Sequence, residues 1–187
     1  MLKNKRKIEI EMKAIELLQS AEMLDMIPVK IIKLANTLDL KVYKSTFEKQ
    51  NISGAIVKNT EKDEYNIYIK KDDAQVRQRF TVAHEIGHYL LHKEKLEDEH
   101  YDDIMYRGNM SNEEEEEANY FAGCLLMNKE PLLKIYRLLK DKKELARMFE
   151  VSEAAMSIRI GEILKWEMVW YRHQNLFIIW KQTIQNQ

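Results

Sequence analysis

The chain has 187 residues, 30 Lys and Arg against 31 Asp and Glu, a net charge of −1 and one cysteine. That length holds one domain with a sizeable core, or one domain with a small appendage. The charge balance excludes a whole-molecule field for nucleic acid or anionic membrane, and a single Cys excludes an internal disulfide.

With 5 Gly and 2 Pro the punctuation is sparse, so helices are expected to dominate. Residues 3–24 read as an amphipathic helix with Ile8, Met12, Ile15, Leu17 or Leu18, and Ala21 on its apolar face. Its basic start is followed by Glu9, Glu11, Lys13 and Glu16, which rules out the apolar core of a signal peptide. No stretch approaches 18 apolar residues, and a cytoplasmic protein with no membrane span is expected. A second helix is expected from Pro28, a residue favoured at the first helical position, to about Leu38.

The period then changes. Leu40 to Tyr43, Gly54 to Lys58 and Tyr65 to Lys70 are short and β-rich, and the turns NISG and NTEKDE between them suggest a small three-stranded antiparallel sheet. The fold class expected is α+β, mostly helical, with that sheet packed on the helix that follows.

That helix spans about Ala74 to Lys95 and is apolar on nearly every side, as a buried helix would be. Within it stands His84-Glu85-Ile86-Gly87-His88, an H-E-x-x-H run. At 3.6 residues per turn, His84 and His88 lie about 40° apart on one face, roughly 6 Å apart at Cβ, where two imidazoles can grip one tetrahedral Zn²⁺. Glu85 is displaced to one side of that pair. It can hold a water beside a metal more easily than it can ligate the metal, which makes it the candidate general base. Gly87 costs about 1 kcal/mol relative to Ala in a helix, so a close approach to its backbone is expected.

A catalytic zinc needs a third protein ligand. His92 extends the row, but three ligands along one straight helix cannot converge tetrahedrally; it reads as a surface residue or one behind the ligands. His100 falls in a polar loop. The acidic run Glu113 to Glu117 opens another helix, for which Ser111-Asn112-Glu113-Glu114 fits the capping box with Ser111 as N-cap. Projecting the apolar stripe Ala118, Ala122 and Leu125 back by one turn lands on Glu115. Glu113 and Glu117 lie off it, and Glu114 is a near miss. Asn119, four residues beyond Glu115, is placed to hydrogen-bond a ligating imidazole from behind. Glu115 is therefore the third ligand expected.

These residues carry a resemblance. Phe80-Thr81-Val82-Ala83-His84-Glu85-Ile86-Gly87-His88, then Glu115-Glu116-Glu117-Ala118-Asn119-Tyr120-Phe121-Ala122 and Leu125-Leu126-Met127, resemble the ImmA/IrrE zinc metallopeptidases. The family pattern is R-F-x-x-A-H-E-x-G/A-H followed by E-x-x-A-N-x-F-A-x-x-L-L-M-P, and the likeness extends over about residues 26–165. It implies His84, His88 and Glu115 as zinc ligands and Glu85 as base. It also implies a helix-turn-helix repressor of a phage, mobile-element or stress operon as protein substrate. Asn128 stands where the family usually has Pro, with Pro131 three residues later.

Cys124 lies on an apolar helical face as a small core residue. Lys143 to Leu164 reads as helix-turn-helix with Ser152 as an N-cap. Its second helix offers one base, Arg159, among Glu153 and Glu162, too little for phosphate contacts, so direct DNA binding is not expected. Packing against the rest of the molecule is. The tail from Trp166 carries all three Trp, and its poor alternation does not separate strand from helix; an aromatic-rich end packs on its own core or anchors a partner. The organisation expected is an N-terminal helix over 1–25, a metallopeptidase domain over 26–130 and a helical region with an aromatic tail over 131–187. Tyr89, Tyr101, Tyr106 and Tyr120 are candidates for stabilising an oxyanion. A partner-binding protein that inactivates a repressor or toxin without hydrolysis is the alternative on the same fold.

Overall fold

The computed structural model describes residues 2–48, 52–59, 62–96 and 110–166. The N-terminal helix α1 (Asn4–Ser20) buries Ile10, Ala14, Leu17 and Leu18. The inward face is therefore rotated from the expected one: Ile8 and Met12 are exposed. Both faces carry apolar residues, and the one whose small Ala14 permits close approach is the one that packs on the helix over Asn112–Leu126.

Helix α2 (Ile31–Asn36) begins three residues later than expected. The Ile27–Pro28 peptide is cis, and Pro28 belongs to the turn before the helix rather than to its first position.

Strands β1 (Lys41–Ser45), β2 (Gly54–Asn59) and β3 (Glu64–Lys70) form the three-stranded sheet, in the order β1-β3-β2. The sheet is mixed rather than antiparallel. A short turn joins β2 to β3, which pair antiparallel from Gly54↔Ile69 to Asn59↔Glu64. Strand β1 pairs parallel with β3, from Lys41↔Asn66 to Ser45↔Lys70. Strand β3 is the one with Tyr65, Asn66, Ile67 and Ile69 buried, and it takes the central place. Strand β1 forms an edge carrying Lys41 and Lys44, residues that discourage further strand pairing.

Helix α3 (Gln75–Leu91) crosses the sheet, with β2 and β3 against one flank and α5 (Asn112–Leu126) against another. The Gln78 side-chain amide donates to the carbonyls of Lys70 (3.1 Å) and Lys71 (2.9 Å), tying the first turns of α3 to the end of β3. His92 leaves helical geometry (φ −135°), so the expected single helix breaks there and resumes as the short α4 (Lys93–Leu96).

The α3–α5 crossing is close because of Gly87. A Cβ at that position would lie 3.2 Å from Ala118 Cα, 3.2 Å from Phe121 Cδ1 and 3.3 Å from the Ala118 carbonyl oxygen. Two of those three atoms are backbone and cannot swing aside. Gly87→Ala is accordingly expected to destabilise the protein in denaturant titration. The overpacking cost of about 1–3 kcal/mol outweighs the roughly 1 kcal/mol gained in helix propensity. A more stable variant would mean that the two helices separate freely.

Helix α6 (Lys129–Leu139) follows Asn128, whose side-chain amide donates to the Leu24 carbonyl at 3.0 Å. Pro131 lies in the first turn, where its missing N–H is harmless. Helix α7 (Lys142–Phe149) is capped by Asp141, which accepts from the amides of Lys143 (2.9 Å) and Glu144 (3.1 Å). A helix over 153–166, here α8, completes the expected helix-turn-helix, and Ser152 Oγ accepts from the Ala155 amide at 3.1 Å. The core joins Ile10 and Leu18 of α1, Ile86 of α3, Phe121 and Leu125 of α5, Phe149 of α7 and Met156 and Ile160 of α8. Among the described residues no helix is long and apolar enough to cross a membrane.

Candidate metal centre

Two helices bring the site together. His84 and His88 come from successive turns of α3, and Glu115 from the first turn of α5. The close crossing at Gly87 sets the distance between those helices. His84 Nε2 and His88 Nε2 are 2.9 Å apart. Glu115 Oε2 is 3.4 Å from His84 Nε2, and its Oε1 is 3.3 Å from His88 Nε2. Two imidazole nitrogens and both oxygens of the Glu115 carboxylate thus face one small volume, an arrangement that needs positive charge at its centre. Protons on the imidazoles can provide it: hydrogen bonds from His84 and then His88 hold the Glu115 carboxyl well below the usual carboxylate range. A metal ion held by the same group of three would provide it more fully.

Asn119 of α5 lies beside the His84 ring. Its Oδ1 lies 3.1 Å from His84 Nδ1, and a ring proton on Nδ1 donated to that oxygen turns the Nε2 lone pair toward the centre when a metal rather than a proton fills it. The His88 ring is wholly buried, and its Nδ1 has no hydrogen-bond partner among the described residues. Glu115 is the open side of the group, with 43% of its side chain exposed against 14% for His84.

Glu85 is buried at 1% exposure between α3 and the sheet. Strand β2 passes over it at Gly54, where an added Cβ would fall 3.3 Å from Glu85 Oε1 and within 2.2 Å of Thr81 Cγ2. The missing side chain lets the strand lie directly on the helix turn that carries the carboxylate. Sequence reading saw in Gly54 only the start of a strand.

The other acidic residues separate cleanly. Glu114, the near miss, closes the capping box: its carboxylate accepts from the Ser111 amide at 2.7 Å, and its own amide donates to Ser111 Oγ at 3.3 Å. It also pairs with Lys95, whose hydrogen bond holds its pKa down at about 2. Glu117, read as lying off the apolar stripe, is buried and bound by Arg6 through two hydrogen bonds of 2.6 and 2.5 Å. Nothing in the local sequence announces that pair, because its members are 111 positions apart. His92 lies on the inner side of Glu117, its Nε2 3.6 Å from the carboxylate, and its ring centroid is 5.6 Å from that of His88.

The sequence profile of the IrrE N-terminal-like domain, peptidase family M78, matches residues 35–161. The chain belongs to the IrrE-like peptidase family. A solved Mycobacterium tuberculosis transcriptional regulator is similar in fold, with a TM-score of 0.57 at 16% identity over 82% of this chain and 55% of that one. The chain thus spans about half the length of that structure. No curated protein sequence matches the chain.

One expectation changes within this IrrE-like frame. Arg159 is not an exposed base on a recognition helix: it is 3% exposed, donates to the Met127 carbonyl at 3.1 Å and pairs with Glu11 of α1. The one arginine of α8 is thereby taken up in packing. Cys124 is the buried core residue expected, its thiol pushed up to about 12 by burial. Tyr120 packs beneath Lys7 and Arg159, and Tyr89 against Tyr65 and Lys93. Tyr101, Tyr106, His100 and the aromatic tail beyond Trp166 lie outside the described residues.

Proposed function

We propose that this IrrE-like chain is a zinc-dependent endopeptidase of the cytoplasm, with His84, His88 and Glu115 as metal ligands and Glu85 as general base. The observation that supports this most directly is the spacing of the three donor atoms. Ligands about 2.0–2.1 Å from a tetrahedral zinc lie about 3.3 Å from one another; here the two Nε2 atoms are 2.9 Å apart, and each has one of the two Glu115 oxygens at 3.3–3.4 Å. Three protein ligands with one side exposed are the donor set of a catalytic site; structural zinc is usually closed by four side chains.

A bound Zn²⁺ supplies Lewis acidity, bringing the pKa of water toward neutrality and polarising a scissile carbonyl. The chain's own residues do the rest. Asn119 holds the His84 ring in the tautomer and orientation a ligand needs. The Glu85 carboxylate takes a proton from the attacking water and delivers it to the leaving amide nitrogen. Its burial beside Gly54 keeps it close to that path and away from bulk solvent.

The substrate we propose is a helix-turn-helix transcriptional repressor, whose cleavage relieves repression; family membership supports this class of substrate. Direct DNA binding is no part of the proposal, since α8 turns its one arginine inward. The test is co-expression with the repressor encoded beside this chain, followed by mapping of new termini, with elemental analysis of the purified protein. One zinc per chain and a single new repressor terminus are expected. An intact repressor that still binds zinc-loaded protein and loses function would instead indicate inactivation without hydrolysis.

A further inference from the structure

The N-terminal helix α1 precedes the segment matched by the family profile, which begins at residue 35. It is nonetheless joined by charge to the helix that carries Glu115. The Arg6 guanidinium grips Glu117 with Nε at 2.6 Å from one carboxylate oxygen and Nη2 at 2.5 Å from the other. Such two-pronged pairs fix orientation as well as position. Glu117 is 6% exposed, so the pair is one that α5 cannot release cheaply to water. The Oε2 atom gripped by Arg6 also faces His92 Nε2 at 3.6 Å, and the His92 ring leans on the ring of His88. A continuous set of contacts therefore runs from α1, through the first turns of α5, to the last turn of α3. It touches the helix turns of two of the three donors.

We propose that Arg6 is a positioning residue for the metal centre. By pinning Glu117 it fixes the rotation of α5 two residues after Glu115, and it backs the His92 ring against His88. The inference rests on the metal-site reading above. It assigns to α1 a role in metal affinity, beyond that of covering the core.

The same helix provides its own control. Lys7 pairs with Glu162 of α8 at 2.6 Å and lies over the Tyr120 ring of α5 at 4.7 Å, contacts of α1 that bypass Glu117 and the His92 ring. Zinc affinity of the full chain is to be measured by competition with a chromophoric chelator, alongside denaturant titration of each variant. Arg6→Gln and Glu117→Gln should each weaken zinc binding about tenfold, at the lower end of the effect of groups behind metal ligands. The double variant should lose no more than either single one, because each removes the same contact. Lys7→Ala should lower stability and leave zinc affinity unchanged. Arg6→Lys, which keeps the charge without the fork, should fall between wild type and Arg6→Gln, and it carries the test if Arg6→Gln does not fold.

Wild-type affinity in folded Arg6→Gln or Arg6→Lys would overturn the proposal. So would additive losses, or a loss in Lys7→Ala that matches its loss of stability. Wild-type protein that takes up no zinc would remove the metal reading itself, and this inference with it. Tight binding by both wild type and Arg6→Gln would remove only the inference.

Discussion

Replacing Glu85 with glutamine is expected to abolish most hydrolysis while leaving both fold and zinc content intact. The carboxylate is asked to do two things, to accept the water proton and to pass it on, and an amide can do neither. Removing a positioned acid–base group lowers rates by about 10²–10⁴-fold, and loss of both transfers places Glu85→Gln toward the top of that range. The substitution keeps shape and volume at a position that is 1% exposed, and it replaces a buried ionisable group by a neutral one, so no cavity is created. Glu85 is not among the three atoms that surround the metal position, and zinc stoichiometry should be unchanged. The measurement is cleavage of the co-expressed repressor together with elemental analysis of the same preparation. Turnover within tenfold of wild type would show that another group moves the proton.

Glu115→Ala is the second substitution with a large expected effect, and it reads out in metal rather than rate. Removing it leaves two imidazoles on one helix, short of the three protein ligands a catalytic zinc requires. Zinc affinity should fall by well over the 10–100-fold typical of groups that only orient a ligand. Glu114→Ala sharpens the comparison. It removes the capping box and the pair with Lys95, at a cost of about 1 kcal/mol in stability, and should leave zinc affinity near wild type. Competition with a chelator distinguishes the two. The reverse pattern, with affinity lost in Glu114→Ala and kept in Glu115→Ala, would move the third ligand by one residue.

Local periodicity made much of this legible. The H-E-x-x-H run sits within an apolar helix, Ser111 caps α5, and the apolar stripe of α5 points back to Glu115, because each of these is decided within one or two helical turns. Asn119 was legible for the same reason, lying one turn from Glu115. What escaped was decided at a distance. The parallel pairing of β1 with β3 depends on the route of a connection and not on the strands themselves. Arg159 looked exposed because the stripe of α8 is judged by hydrophobicity, and a buried arginine reads as a surface residue until Glu11 of α1 is seen beside it. Glu117 was hidden in a run of five glutamates, most of them ordinary companions of a helix N-terminus, and its partner is near the start of the chain. Gly54 failed to signal because a glycine opening a strand is unremarkable until Glu85 and Thr81 are found beneath it.

The division of the donor set between α3 and α5 also bears on biosynthesis. The chain leaves the ribosome N-terminus first, so α1, the sheet and both histidines emerge while Glu115 is still being made. At that stage Arg6 has no Glu117 to grip, and the histidine pair lacks the carboxylate that completes it. Until α5 docks across Gly87, Glu115 cannot join His84 and His88, and the group of three that could hold a metal is incomplete.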